Sequence, residues 1–311
     1  MIARETYRGA QGVYDWVDVE NGSFDEITQI LHEFQVHQLV IESILEGGER
    51  PRIQDFKEYN FIVLQPVSTT SEPEFAELYV LHCKKWVLTF HKDPLREIGD
   101  LRKAMESGSK ATAQGPDFLF YSILSRAIDS YFELVDGFEA RLDVLEEDIS
   151  SPSPEPILSR MISIRRGIVS TRRILSYTRE VVATMLREDF YDLNDEDERY
   201  YRDAHFQLSH LLESAETYRE FLSDLRDSYM SAVSLSLNQV MKTLTMVGTI
   251  ALPLLVVSGI YGMNLIGLPF AGNPSGGQIA VVLMILFSLT IGLYFKRKHW
   301  VYQEAALSLR S

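Results

Sequence analysis

Between Thr243 and Phe295 the sequence has no Asp, Glu, Lys, Arg or His, although 24% of the 311 residues are charged. A stretch that long without charge excludes an ordinary solvated surface, and it is long enough for two membrane crossings of ~20 residues each plus a turn. Cysteine is nearly missing: Cys83 alone cannot form an internal disulfide or a cysteine zinc site. An excess of basic residues is missing too. The formal net charge of −14 excludes the electrostatic footprint of a nucleic-acid-binding protein. The same acidity suits a surface that gathers metal cations. No apolar run follows Met1-Ile-Ala-Arg-Glu-Thr6, so no secretory signal peptide is expected there.

Catalytic motifs are equally scarce. None of the seven histidines forms His-Glu-x-x-His, and His205 and His210 are five apart, a poor spacing for one helix face. There is no Walker A loop, so an ATP-driven pump is not expected, and neither is an enzyme.

What is present falls into two halves. Val13 to Val19 alternates apolar and polar residues and predicts a strand, followed by an Asn21-Gly22 turn. Ser23 ahead of Asp25 and Glu26 predicts a helix start, with the helix running to about His32. A second short helix is expected over Val36 to Leu45, ended by Gly47-Gly48. Strands are expected over Pro51 to Tyr59, Asn60 to Val67, Phe75 to His82 and Trp86 to Phe90, and a helix over Pro94 to Met105. These make an α/β domain over 1–114.

Strand signals stop at Pro116. Phe118 to Ile149 repeats apolar residues at spacings of three and four, and Ile157 to about Leu186 is a second, arginine-rich helical stretch. The proline turn Ser151-Pro-Ser-Pro-Glu-Pro156 between them predicts an antiparallel hairpin over 115–193. Asn194 is a candidate N-cap for a third helix. Neither glycine nor proline occurs from Asp195 to Val247, which predicts one helix running from the soluble part into the membrane over 194–263. At 1.5 Å per residue, roughly 65 to 70 residues reach about 100 Å, and such a helix needs partners along its length.

The two crossings are expected at about Thr243 to Met263 and at 277–295, joined by an uncharged loop over 264–276. Lys242 flanks the first crossing, and the tail 296–311 opens with Lys296-Arg-Lys298. The positive-inside rule then places both termini in the cytoplasm and the loop outside. Two crossings cannot enclose a pore, so a conducting protein of this kind must self-associate. Asp227, Ser231, Ser234, Asn238, Met241, Thr245, Gly248 and Leu252 follow one another by three or four and keep one face toward a common axis. The same stripe of small residues also suits ordinary helix packing. Asn238 stands out, because an amide near a membrane entrance is costly unless it meets water or a partner.

Gly259-Ile-Tyr-Gly-Met-Asn264 after an apolar helix, then a second span ending in Phe295-Lys-Arg-Lys-His-Trp300, resembles the CorA family of divalent-cation transport proteins. Asp227-Ser-Tyr-Met-Ser-Ala-Val233 and Asn238-Gln-Val-Met-Lys-Thr-Leu244 resemble that family's stalk and inner pore. The likeness covers about Tyr200 to Val301. It implies an α+β cytoplasmic domain followed by long α-helices and a C-terminal two-helix transmembrane hairpin, assembled as a homopentameric funnel in the cell membrane. It implies channel-like passage of hydrated Mg2+, or of Co2+ or Ni2+, with no organic cofactor and with lipid, the ion and further copies of the chain as partners. Gly262, Met263 and Asn264 would form the outer mouth. Asn238 would be a polar ring below it, Met241 and Leu244 the apolar constriction, and Asp227 an acidic ring at the inner end. Thr245 and Gly248 continue the pore-facing stripe.

Asp203 matches the stalk aspartate of the family's regulatory Mg2+ site. Its partner should come from the N-terminal domain of a neighbouring copy. Asp93 is the candidate, although Glu97 or Asp100 would also serve. The loop beside Asn264 lacks the acidic residues of many family members, and Leu268 to Pro274 leans toward the ZntB-like zinc branch, in which transport could be proton-coupled. A membrane-anchored scaffold that transports nothing is the third possibility.

Overall fold

The structure, a computed structural model, describes residues 1–9, 12–69, 73–107, 114–150, 156–187, 195–263 and 274–298. The expected N-cap Asn194, residues 151–155 of the expected proline turn, the expected mouth residue Asn264 with its loop to residue 273, and the tail beyond Lys298 lie outside the described residues. The chain divides into two compact units, Met1–Arg226 and Asp227–Ser311.

The first unit begins with a six-stranded mixed sheet in the order β1 (Ile2–Gly9), β2 (Gly12–Glu20), β8 (Trp86–His91), β7 (Leu78–His82), β4 (Asn60–Leu64) and β3 (Arg52–Asp55). β2 and β8 run parallel, with Asp18 opposite Thr89, and the other pairs are antiparallel. β5 (Val67–Thr69) and β6 (Glu74–Phe75) form a separate two-stranded ribbon. The inner strands are apolar on both faces because both faces are covered. On one face, Val17, Phe61, Val63, Leu81 and Leu88 meet Leu31, Val40 and Ile41 of helices α1 (Phe24–Glu33) and α2 (Gln38–Glu46). Helix α4 (Pro116–Ser150) packs on β5, β7 and β8 and against α3 (Arg96–Glu106). Burial of fourteen side chains in the first cluster alone, at about 25 cal/mol per Å2 of apolar surface, is the main force holding this layer.

Local chemistry explains most boundaries. Ser23 caps α1 in a capping box with Glu26, as the Ser-Phe-Asp-Glu order suggests. α2 ends where Gly47 takes φ 69°, a left-handed value that suits glycine. Three strand expectations need correction. β3 stops at Asp55, because its carboxylate accepts the Lys57 N–H at 2.6 Å and turns the chain through a positive φ at Lys57. The expected strand to Val67 breaks after Leu64, where Pro66 cannot donate to a ladder. The expected strand from Phe75 begins in earnest only at Leu78, after Glu77 has turned to accept the Gly48 N–H at 2.8 Å. β1 was not expected at all; its register with β2 runs from Ile2 opposite Val19 to Gly9 opposite Gly12.

α4 and α5 (Ile157–Met185) form the hairpin, with Phe138, Leu142 and Leu145 of α4 and Ile164, Ile168 and Leu175 of α5 all buried. Phe138 lies so close to Gly167 that a Cβ there would meet its ring at 2.8 Å, which is why glycine sits in mid-helix. Near the tip, the Arg160 guanidinium donates to Asp148.

α6 (Asp195–Tyr261) contributes to both units and is unbroken over 67 residues. In the first unit, Tyr201, Leu208, Leu211 and Ala215 are buried. Tyr200 lies 5.0 Å from Tyr121 and 5.7 Å from Phe118, ring centre to ring centre, an aromatic cluster that fixes the start of α6 against the start of α4. The second unit contains the rest of α6 and α7 (Gly276–Arg297). Both are long and apolar enough to cross a membrane, and almost none of the apolar window of each is buried. A soluble protein would hide such surface, so it faces lipid or other copies.

Candidate functional site

The membrane half of α6 carries two distinct sides. Met246, Ile250, Val257 and Tyr261 are half-buried, and with Pro253 and Leu254 the last two line a groove of about 390 Å3 against Ala280, Leu283, Met284 and Phe287 of α7. The stripe Asp227, Ser231, Ser234, Asn238, Met241, Thr245, Gly248 and Leu252 is exposed at every position. At 100° per residue it lies roughly 140° around the helix from the α7 side. Met241 and Leu244 are 60% and 64% exposed, so the chain's own fold leaves these apolar side chains without cover.

The polar groups on and beside the stripe are kept in a helix by their own backbone. Ser231 donates to the Asp227 carbonyl at 2.9 Å, Thr245 to the Met241 carbonyl at 2.7 Å and Thr249 to the Thr245 carbonyl at 2.7 Å. Each hydroxyl hydrogen is thereby spent inward, and the oxygen lone pairs remain outward as acceptors. Such a surface suits donors, including the waters around a hydrated cation. Gly262 and Met263 close the helix with N–H bonds to Ser258 at 2.9 Å and Ile260 at 3.2 Å.

Asp203 lies on an exposed face of α6, where its carboxylate accepts from Gln207 at 2.6 Å. Asp93 is exposed in the loop between β8 and α3. Glu97, the alternative partner, is half-buried, and burial raises its carboxyl above the usual range. Asp100 is engaged by Arg96 at 3.6 Å and Lys103 at 3.7 Å. Among the described residues of one chain, no three His, Cys, Asp or Glu side chains converge as a metal site.

One group escaped the reading of the sequence. Asp18 of β2, 2% exposed, accepts from Thr89 at 2.5 Å, from His91 Nε2 at 3.2 Å and from the Arg102 guanidinium. Thr89 in turn accepts from the Trp16 indole at 3.1 Å. His91 Nδ1 points to the Asp93 carbonyl at 2.7 Å, so both ring nitrogens face acceptors. Only the imidazolium can donate to both. Burial alone would lower the His91 pKa, but the Asp18 carboxylate and its hydrogen bond outweigh it and hold the ring above its ordinary value. This network fixes the loop that carries Asp93. Its signal in the sequence is faint: polar Asp18, Thr89 and His91 within otherwise apolar strands.

The described residues thus combine an α+β unit with two helices long and apolar enough to cross a membrane, the layout of a membrane protein with a large soluble part. The profile of the family described as CorA-like Mg2+ transporter protein matches residues 11–297. The cobalt/magnesium transport protein CorA of Thermotoga maritima is 30% identical over 296 residues, covering 92% of this chain and 83% of that protein. The zinc transport protein ZntB of Yersinia pseudotuberculosis is 21% identical, over 92% of this chain and 86% of that one. Among solved structures, the CorA magnesium transporter from Methanocaldococcus jannaschii superposes with a TM-score of 0.85 at 24% identity, covering 97% of this chain and 99% of that one. The full-length CmaX protein superposes with a TM-score of 0.75 at 22% identity. The chain belongs to the CorA-like Mg2+ transporter family. It is a multi-pass membrane protein with cytoplasmic termini and a divalent-cation transporter, not an enzyme, and Mg2+ is the ion its family implies.

Proposed function

We propose that the chain assembles as a homopentamer in which five copies of α6 surround one axis and form a passive path for hydrated divalent cations, Mg2+ foremost. The observation that carries this reading is the exposed stripe of α6, which runs unbroken from Asp227 to Leu252 on the side away from α7. Gly262, Met263 and Asn264 form the outer mouth, where a neutral amide ring accepts hydrogen bonds from the ion's waters without holding it too tightly to leave. Asn238 repeats that ring within the stripe. Met241 and Leu244 close the path by dewetting, Thr245 and Gly248 line it, and Asp227 gathers cations at the inner end.

In this reading the domains are those expected from the sequence: α/β domain, helical hairpin, stalk with first span, outer loop, second span and basic tail. Mg2+ also regulates the path. Asp203 of one copy and Asp93 of the next share an ion, which draws the copies together. Loss of the ion leaves facing carboxylates that repel, shifting the population toward open.

The test is Mg2+ flux into liposomes. Asn264→Ala should cut flux strongly while leaving the protein folded and assembled. Undiminished flux would remove Asn264 from the mouth, and absence of Mg2+ flux from the wild type as well would favour the scaffold that transports nothing.

A further inference from the structure

The hairpin formed by α4 and α5 carries opposite charge on its two helices. α4 has nine Asp or Glu against two Arg, and α5 has six Arg against one Glu. Within the chain this contrast is mostly unspent. Arg160 pairs with Asp148, and Arg172 with Glu216 at 3.0 Å, but Arg165 and Arg173 make no ion pair among the described residues. Asp136 and Asp143 of α4 likewise have no ion-pair partner there, whereas Glu139 accepts from Tyr218 at 3.0 Å.

The spacing turns these charges into two stripes. On α5, Leu158, Ile162, Arg165, Val169 and Arg173 recur by three or four on one side, opposite the buried Ile164, Ile174 and Thr178. All five are exposed, and Leu158, Ile162 and Val169 are 51%, 45% and 51% exposed. Solvated helix faces do not need three large aliphatic residues in register with two arginines. Partner-binding helix faces do, with apolar contact at the centre and charge at the rim. On α4, Glu133, Asp136, Asp143, Val144 and Glu147 form an exposed acidic stripe around one apolar residue, with only Glu133 paired within the chain, to Arg96 at 3.9 Å, among the described residues.

We infer that the arginine and aliphatic stripe of α5 docks on the acidic stripe of α4 in a second copy of this chain. A two-fold dimer can pair basic with acidic only reciprocally, using both stripes of each copy in one contact. A head-to-tail contact sets basic against acidic and repeats around a ring, which closes if the rotation allows. The contact therefore gives the assembly a second belt, in the soluble part, independent of any shared metal ion. The inference rests on the reading of the chain as a ring-forming oligomer. An anionic lipid surface could also attract α5, but it leaves the acidic stripe of α4 without a role.

The test uses full-length protein in detergent, with mass measured by light scattering across a salt series. Arg165→Glu with Arg173→Glu should reduce the assembled fraction about tenfold at moderate ionic strength, as expected for two interfacial charge pairs turned from attractive to repulsive. Asp136→Arg with Asp143→Arg should do the same. The quadruple variant should assemble again, a rescue that a merely misfolded chain cannot show. Wild-type chains that assemble while all variants assemble equally well would overturn this contact and leave the ring standing. A monomeric wild type would overturn both. Failure of the quadruple variant to recover would overturn the pairing of these stripes. So would normal assembly of the arginine variant with lost binding to vesicles of anionic phospholipid, which would give α5 to the membrane.

Discussion

Replacing Asp18 by alanine should destabilise the soluble unit by about 3 kcal/mol, although Asp18 belongs to no proposed ion site. The carboxylate is 2% exposed and accepts from Thr89, His91 and Arg102. Breaking a buried ion pair by removing one partner costs about 3–5 kcal/mol, because the other charge is left uncompensated. The lower end applies here: the Arg102 side chain is 17% exposed and keeps Glu5 at 3.8 Å. Asp18→Asn preserves shape and one acceptor and should cost less. Replacing Asp18 by valine and Arg102 by methionine together should cost less than the sum of the two single changes, since the Arg102 charge is no longer stranded and only His91 loses its counter-ion. The assay is denaturant unfolding of the solubilised chain followed by tryptophan fluorescence. Trp16, bonded to Thr89 at 3.1 Å, reports from inside the network. A loss below about 1 kcal/mol for Asp18→Ala, or strict additivity in the double variant, would refute the account. Because His91 holds the Asp93 carbonyl, Asp18→Ala should also loosen the loop that carries Asp93, seen as faster hydrogen exchange at Lys92 to Leu95.

Much of this fold was legible because its signals are local. Ser23 and Glu26 mark the start of α1 by themselves, Gly47 marks the end of α2, and the absence of glycine and proline after Asp195 predicts the unbroken α6. Pro253 does not end that helix. Its missing N–H costs one bond, which a membrane helix can bear. What was not legible is non-local. β1 places Arg4, Glu5 and Arg8 among its residues and has no clean apolar face, so only pairing with β2 makes it a strand. The parallel pairing of β2 with β8 joins residues about seventy apart in the chain, and it alone brings Asp18 to Thr89 and His91. For the proposed ion path, periodicity found the stripe of α6, and the structure added that this side is bare while the other side meets α7. The partner proposed for Asp203 could not be read from one chain, because a contact between copies leaves no mark in the sequence of either.

Asp203→Ala should weaken protection from proteolysis by Mg2+, since it removes a bridging carboxylate; equal protection in wild type and variant would take Asp203 out of the sensor. The share of stability that depends on His91 should be full below the ordinary histidine value of 6.5 and should fade as pH rises through the higher folded value. Melting curves of wild type and His91→Gln should therefore converge on the alkaline side, and a gap that widens there would contradict a raised pKa. The identity of the ion should follow from what the mouth lacks. A mouth without carboxylates cannot strip water from a cation, so it should favour the ion that keeps its shell, and Mg2+ dehydrates reluctantly. Flux measured side by side should then favour Mg2+ over Zn2+ and be indifferent to a proton gradient. Zn2+ flux that rises with an imposed gradient would mean that the uncharged loop marks the zinc branch, and that protons, not the hydration shell, drive what passes Asn264.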